Sequence, residues 1–224
     1  MKKFFFILTV LVVFFSCAEN ENPEKVIWVY PYKLDDDRIN GYSQKGNFYL
    51  VLDSAELTFE PGHWERKDEN FEIEGFDFEE GFFHKLLVSP SVSSPEKLVL
   101  KSILEKRKDY AEKIQGSWTS IPLETNSYQN TSMGIYHVGR EVFIYSGCRS
   151  YEFMLREIDD QNINFHLTVM GYLDKLCWDR LENKNLNNGA SLIFESKKYK
   201  LANDGLLEFF DADGKLLIRF LPKK

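Results

Sequence analysis

From Asn162 to Tyr172 the chain reads NINFHLTVMGY, with an apolar residue at every second position. Ile163, Phe165, Leu167 and Val169 fall on one face, and Asn164, His166 and Thr168 on the other. A period of two marks a strand with one face in a core and one in water. Lys215–Leu221 (KLLIRFL) repeats the pattern, with Leu216, Ile218 and Phe220 opposite Leu217 and Arg219. Val142–Tyr145, Ser191–Glu195 and Leu206–Phe210 are short and rich in strand-forming residues, and each is expected to be a strand. A chain patterned this way must cover sheet faces. The expected fold class is mainly β or α+β, with two small β-rich domains, the second a bent sheet or partial barrel with short helices.

Turn chemistry fixes part of the order. Asn203-Asp204-Gly205 and Asp211-Ala212-Asp213-Gly214 each put Gly where a positive φ is needed, after an Asp or Asn. The second lies between LLEFF and KLLIRF and predicts a β-hairpin. In the first half, Asn47–Phe59 and Phe82–Val88 are the strand candidates. Glu96–Ile114 is ambiguous: Ser94-Pro95-Glu96 has the form of a helix start, yet Leu98, Leu100 and Leu104 alternate. A strand followed by a short helical turn is the preferred reading, with a domain boundary in the charged run at 109–113.

The N-terminus reads as an address. Met1-Lys2-Lys3 precedes 12 apolar residues, Phe4 to Phe15, and then Ser16-Cys17. As a helix this run would reach about 18 Å, short of a bilayer core of about 30 Å. A cleaved signal at 1–16 is expected. Ser16-Cys17 resembles the end of a bacterial lipobox, which implies acylation of Cys17 and anchoring to the membrane through acyl chains. Residues 17–25, acidic and polar, read as a tether. Ala18 after the Cys resembles the outer-membrane sorting pattern, so the expected location is the cell envelope, lipid-anchored, at the outer membrane.

Four segments in order resemble a META domain, the fold of heat-shock lipoproteins of the HslJ type, over residues 112–222. They are Ile114-Gln115-Gly116-Ser117-Trp118, then Ser146 to Tyr151 (SGCRSY), then Leu176-Cys177, and last Tyr199 to Phe220. Arg149 stands where that family usually has Asn. Residues 26–110 resemble an uncharacterised domain that accompanies META domains in bacterial lipoproteins, through Trp64 and the segment Phe71 to Phe82 (FEIEGFDFEEGF). Many members of that family carry a Cys pair early in the domain, and residues 18–147 have none. The resemblance implies a β-rich fold and no enzyme.

Charge and motifs narrow the function. A net charge of −7 and a pI near 5.3 argue against nucleic-acid binding. Cys148 and Cys177 are the thiols left beside Cys17, an even pair in an exported chain, and a disulfide between them is expected. Two buried free thiols are the alternative. Closing that loop would stabilise the fold by roughly 3–4 kcal/mol. Glu72, Glu74, Asp77, Glu79 and Glu80 could supply the two carboxylates of a glycan hydrolase. They alternate with Phe71, Ile73, Phe76 and Phe78, so a strand with its acids in water is the simpler reading. Asp211 and Asp213 are too few for a calcium loop. His63, His84, His137 and His166 have no metal-ligand spacing, and no nucleophile elbow or phosphate loop occurs. No cofactor and no metal are expected. The expectation is a non-catalytic envelope lipoprotein, stress-related or structural, that binds a protein or an apolar ligand. An inhibitor of an extracytoplasmic hydrolase and a glycan hydrolase using the Glu72–Glu80 acids are the alternatives.

Overall fold

The structure, a computed structural model, describes residues 23–35, 44–59, 62–92, 94, 97–123, 130–173 and 189–223. The expected signal at 1–16, Cys17, most of the tether and Cys177 lie outside the described residues.

Two curled sheets follow one another along the chain. The first holds β1 (Lys25–Val29), β2 (Leu50–Leu52), β3 (Trp64–Arg66), β4 (Ile73–Glu74), β5 (Phe82–Pro90) and β6 (Leu98–Lys108), in the order β3-β2-β1-β5-β6-β4. Every pair is antiparallel except β4 with β6. Ile27, Trp28 and Val29 of β1 are buried on both faces, which is why Val26–Val29 is a continuous apolar run rather than alternating. Ile27 and Val29 pack with Val51, Leu86 and Val88 under Phe71, Phe76 and Phe78. Trp28 packs on the other face with Leu50, Leu52, Trp64 and Phe83. The apolar residues of Phe71–Phe82 therefore turn inward, and Glu72, Glu74, Asp77, Glu79 and Glu80 stay exposed.

Asn47–Phe59 does not form one strand. Phe48 makes an isolated bridge with Leu34, Leu50–Leu52 is the strand, and beyond it the Ser54 hydroxyl accepts the Glu56 N–H at 3.1 Å and turns the chain out of the sheet. Glu96–Ile114 resolves into strand β6 and a 3-10 helix, Ala111–Ile114. Here the chain passes from the first sheet to the second.

The second sheet holds β7 (Gly116–Ile121), β8 (Thr131–Tyr136), β9 (Glu141–Ser146), β10 (Arg149–Ile158), β11 (Ile163–Leu173), β12 (Lys198–Leu201), β13 (Leu207–Phe210) and β14 (Leu216–Pro222). The order is β11-β10-β9-β8-β7-β14-β13-β12, all antiparallel. The sheet curls until its first and last strands meet. Ile163 N–H donates to Lys197 O at 3.0 Å, and Tyr199 N–H to Gln161 O at 2.8 Å. Both Gly turns hold: Gly205 and Gly214 have φ of 83° and 86°, and the Asp211 carboxylate accepts the Lys215 N–H at 2.8 Å. The concave side is filled by Trp118, Ile135, Ile144, Phe153, Phe165, Phe209 and Phe220, among others. Edge-to-face ring contacts run from Phe153 to Phe165, Phe209 and Phe220 at 5.8–6.3 Å.

Two expectations fail here for identifiable reasons. Val169 faces solvent at 47% exposure. Glu152 pairs with Val169 and Phe153 with Leu167, so Thr168 is an extra residue on β11, and this bulge turns Val169 to the other face. Ser191–Glu195 is not a strand but lies in a helix, α1 (Gly189–Glu195), with Ala190 and Ile193 buried three residues apart. Its seat is polar: the Gly189 N–H donates to Ser146 Oγ at 3.1 Å, and Ser146 Oγ lies 3.0 Å from Thr131 Oγ1. A Cβ at Gly189 would fall 2.1 Å from Thr131 Oγ1 and 2.9 Å from Thr131 Cβ. Gly189→Ala is therefore expected to destabilise the fold by about 1–3 kcal/mol, read as a lower urea midpoint. Adding Thr131→Ala should recover part of the loss.

Candidate functional site

The turn between β8 and β9 leaves its own sheet and enters the core of the first. Val138 is buried there with Tyr30, Trp64 and Phe83, and the Tyr30 hydroxyl donates to Val138 O at 2.8 Å. Burial pushes the Tyr30 hydroxyl well above its ordinary titration range. The turn ends at Arg140, a non-glycine residue in the left-handed region at φ 55°. Its carbonyl accepts the Leu155 N–H at 2.7 Å, which locks the turn onto β10.

The Arg140 side chain is 2% exposed. Its Nη1 donates to Asp109 Oδ1 at 2.5 Å, its Nε to Leu155 O at 2.8 Å and its Nη2 to Arg156 O at 3.3 Å. The guanidinium lies 4.4 Å from the centre of the Phe59 ring and 5.5 Å from that of Phe83. Asp109 comes from the segment that joins β6 to the 3-10 helix. Its Oδ1 also accepts the Ala111 N–H at 3.1 Å, and its own N–H donates to Gly81 O at 2.8 Å. One ion pair thus ties together the first sheet, the connecting segment and the second sheet.

Beside this pair lies a cleft of about 780 Å³, lined by Phe59, Phe83 and Arg140, by Arg107, Lys108 and Tyr110, and by residues of the β10–β11 turn and Lys197. Asp159 and Asn162 come from that turn, Glu157 and Ile158 from the end of β10, and Ile163 and Asn164 from the start of β11. Asp159 accepts the N–H groups of Gln161 and Asn162 and the Asn162 side-chain amide, each at 2.8 Å. These bonds, the amide first, hold its carboxyl below the ordinary range. The size and the mixture of apolar wall with a few polar groups suit a ligand site.

The residues singled out from the sequence lie elsewhere. Glu79 and Glu80 pair with Lys106 and Lys45 at the surface, and none of the five acids from Glu72 to Glu80 lines the cleft. His63 and His166 are exposed. His84 is buried against Phe76 at 5.1 Å, and His137 lies against Tyr32 at 5.1 Å. Cys148 is buried in the turn between β9 and β10. Among the described residues no group of three or more His, Cys, Asp or Glu gathers as a metal site. Arg140 and Asp109 escaped the sequence reading: one is a single cation in a turn, the other sits in a charged run that reads as a linker. Comparison with known families, with curated proteins and with solved structures finds no match for this chain.

Two outcomes follow from the junction. Removing one partner of a buried pair leaves an uncompensated charge, at a cost of about 3–5 kcal/mol. Arg140→Met and Asp109→Asn should each lower the chemical-denaturation midpoint by that order, and the double variant should lose less than the sum. Burial holds both His84 and His137 below the ordinary value of 6.5. Their folded pKa is depressed, so the neutral form is favoured in the folded state. Their contribution is complete above 6.5 and is lost as pH falls below it, where the unfolded chain takes up protons first. Urea midpoints should fall between pH 7.5 and pH 5.5, less steeply in His137→Gln and least in the variant that also carries His84→Asn.

Proposed function

We propose that this protein is a non-catalytic envelope lipoprotein, held to the outer membrane by acyl chains on Cys17, that binds a partner or ligand in the cleft between its two sheets. The observation that carries the reading is that cleft. It is large enough for a small molecule, and two of its charged groups are committed to structure. Arg140 and Asp109 neutralise each other in its wall, and the Asp159 carboxylate is taken up by its own turn.

The META resemblance of residues 112–222 belongs to the same proposal. Its support is a strongly curled antiparallel sheet with one short helix across its concave side. A bridge between Cys148 and Cys177 is proposed too, and its support is the burial of Cys148 in the tight turn between β9 and β10. Among the described residues no helix is long and apolar enough to cross a membrane, so the membrane association proposed here rests on the acyl chains.

Intact-mass spectrometry of protein extracted from native membranes in mild detergent tests the reading. The expected result is a chain beginning at an acylated Cys17, lighter by two protons for the bridge, together with a bound species that is lost when the cleft is altered by Asn164→Trp. An unmodified Cys17 would sink the anchor. Turnover of an envelope substrate that disappears in a carboxylate or His variant would sink the non-catalytic reading.

A further inference from the structure

The convex face of the second sheet carries rings where an antiparallel sheet ordinarily turns polar side chains to water. Met133 and Ile135 of β8 and Val142 and Ile144 of β9 fill the core, so Gly134, Tyr136, Phe143 and Tyr145 stand on the opposite face. Tyr136 is 48% exposed and Tyr145 57%. Phe143 is half-buried, with its ring 5.6 Å from that of Tyr136. The strand register sets small residues beside these rings. Phe143 is opposite Gly134, and Gly134 opposite Ser117; Tyr145 is opposite Ser132, and Ser132 opposite Thr119. A cavity of about 250 Å³ results, with the three rings on one side and Ser117, Ser132 and Gly134 along its floor. Its far side is β14, where the Lys223 N–H donates to Ser117 O at 2.7 Å. Gly134 leaves room for Tyr136, whose Cε2 lies 3.3 Å from where a Cβ would stand.

Past Tyr136 lies an open cleft of about 610 Å³, which shares Ser117 and Tyr136 with the first cavity and adds Gln44 and Gln115. Neither shares a lining residue with the cleft beside Arg140. No carboxylate lines either part among the described residues. Lys45 is paired with Glu80, and burial favours the neutral form of His137. Lys223 is the one cation left, and Glu152 stands opposite Phe143 on β10. The side-chain amides of Gln44 and Gln115 and the hydroxyls of Ser117 and Ser132 make no hydrogen bond among the described residues.

An ion finds no cluster of opposite charge on this surface. A purely apolar molecule would take water from the amides and hydroxyls and return nothing. An extended peptide is recognised through its backbone at a free strand edge, and β7, β8 and β9 are paired on both sides. A sugar has apolar C–H faces and a rim of hydroxyls, and this surface offers a match for each. We propose that the convex face of the second sheet binds an uncharged glycan chain. Its ring faces lie on Tyr136 and Tyr145, and its hydroxyls meet Ser117, Ser132, Gln44 and Gln115. Tyr145 lies opposite Ser132, four residues along β8 from Tyr136. The two rings are therefore about 14 Å apart, a span for several sugar units rather than one.

Calorimetric titration of the chain from residue 17 onward, with Cys17→Ser, tests this with four probes. Two are neutral, cellohexaose and chitohexaose; the others are a hyaluronan hexasaccharide and a hexapeptide of alternating Ser and Leu with both ends capped. At least one neutral glycan is expected to bind more tightly than the last two. Tyr145→Ala, at an exposed position, should weaken that binding by about two- to tenfold, the range of one ring contact. Tyr145→Trp should tighten it, a gain that misfolding cannot mimic, and Lys223→Ala should leave it unchanged. Hyaluronan binding as tightly, and losing affinity in Lys223→Ala, would overturn the uncharged ligand. Peptide binding as tightly would overturn the glycan. Glycan binding indifferent to both Tyr145 variants would overturn the site. Binding of neither neutral glycan would overturn the inference whole, and would leave the reading of the cleft beside Arg140 standing.

Discussion

The buried pair of Arg140 and Asp109 is the constraint on which the arrangement of the two sheets depends. Two opposite charges are taken out of water, a step that costs several kcal/mol per ion before any return. The return comes from geometry supplied by both halves: two backbone carbonyls of β10 and two rings of the first sheet on the Arg140 side, and the Ala111 N–H on the Asp109 side. Hydrophobic residues could fill the same space, but they would accept many orientations. The fork of a guanidinium and the direction of a carboxylate accept few.

From this follows the character of the cleft. It is not a fold in one sheet but the space left where the turn at 137–140 is driven into the neighbouring core. Its walls therefore come from six places in the chain: Phe59, Phe83 of β5, β6 and the segment after it, Arg140, the β10–β11 hairpin end, and Lys197. A site built at a junction inherits its rigidity from the junction, and here that means from one ion pair and one buried tyrosine hydroxyl.

How much of this could be read from residues alone is instructive at particular positions. The hairpin at Asp211–Gly214 was legible because its turn needs a glycine and its strands alternate. The inward turn of Phe71, Ile73, Phe76 and Phe78 beside exposed acids was legible in their spacing, but the strand expected there was not formed beyond Ile73–Glu74, since the chain turns at Gly75. Val169 was not legible, because a single extra residue at Thr168 reverses the faces and leaves no mark in composition. Ser191–Glu195 misled because Leu, Ile and Phe serve strands and short helices alike. The deciding fact is the close approach of Gly189 to Thr131, a contact 58 residues away in the chain. The cleft was invisible, since its parts are separated by long stretches and none has a spacing that announces a ligand.

The seam that joins β11 to β12 has a consequence for the molecule's behaviour among its neighbours. A ribbon of eight strands offers two rows of unpaired amides and carbonyls, each a template for another chain. Where Gln161 and Ile163 pair with Lys197 and Tyr199, one end of each row is spent on the other. In the first sheet, among the described residues, β6 has strand partners on its outer side only at Leu98 and Val99. The rest of that strand is broken by extra residues at Lys101 and Leu104 and set with Lys106, Arg107 and Lys108. A chain this rich in strand has thus pinned one of its borders at a corner and roughened another, two features that oppose edge-to-edge pairing between copies.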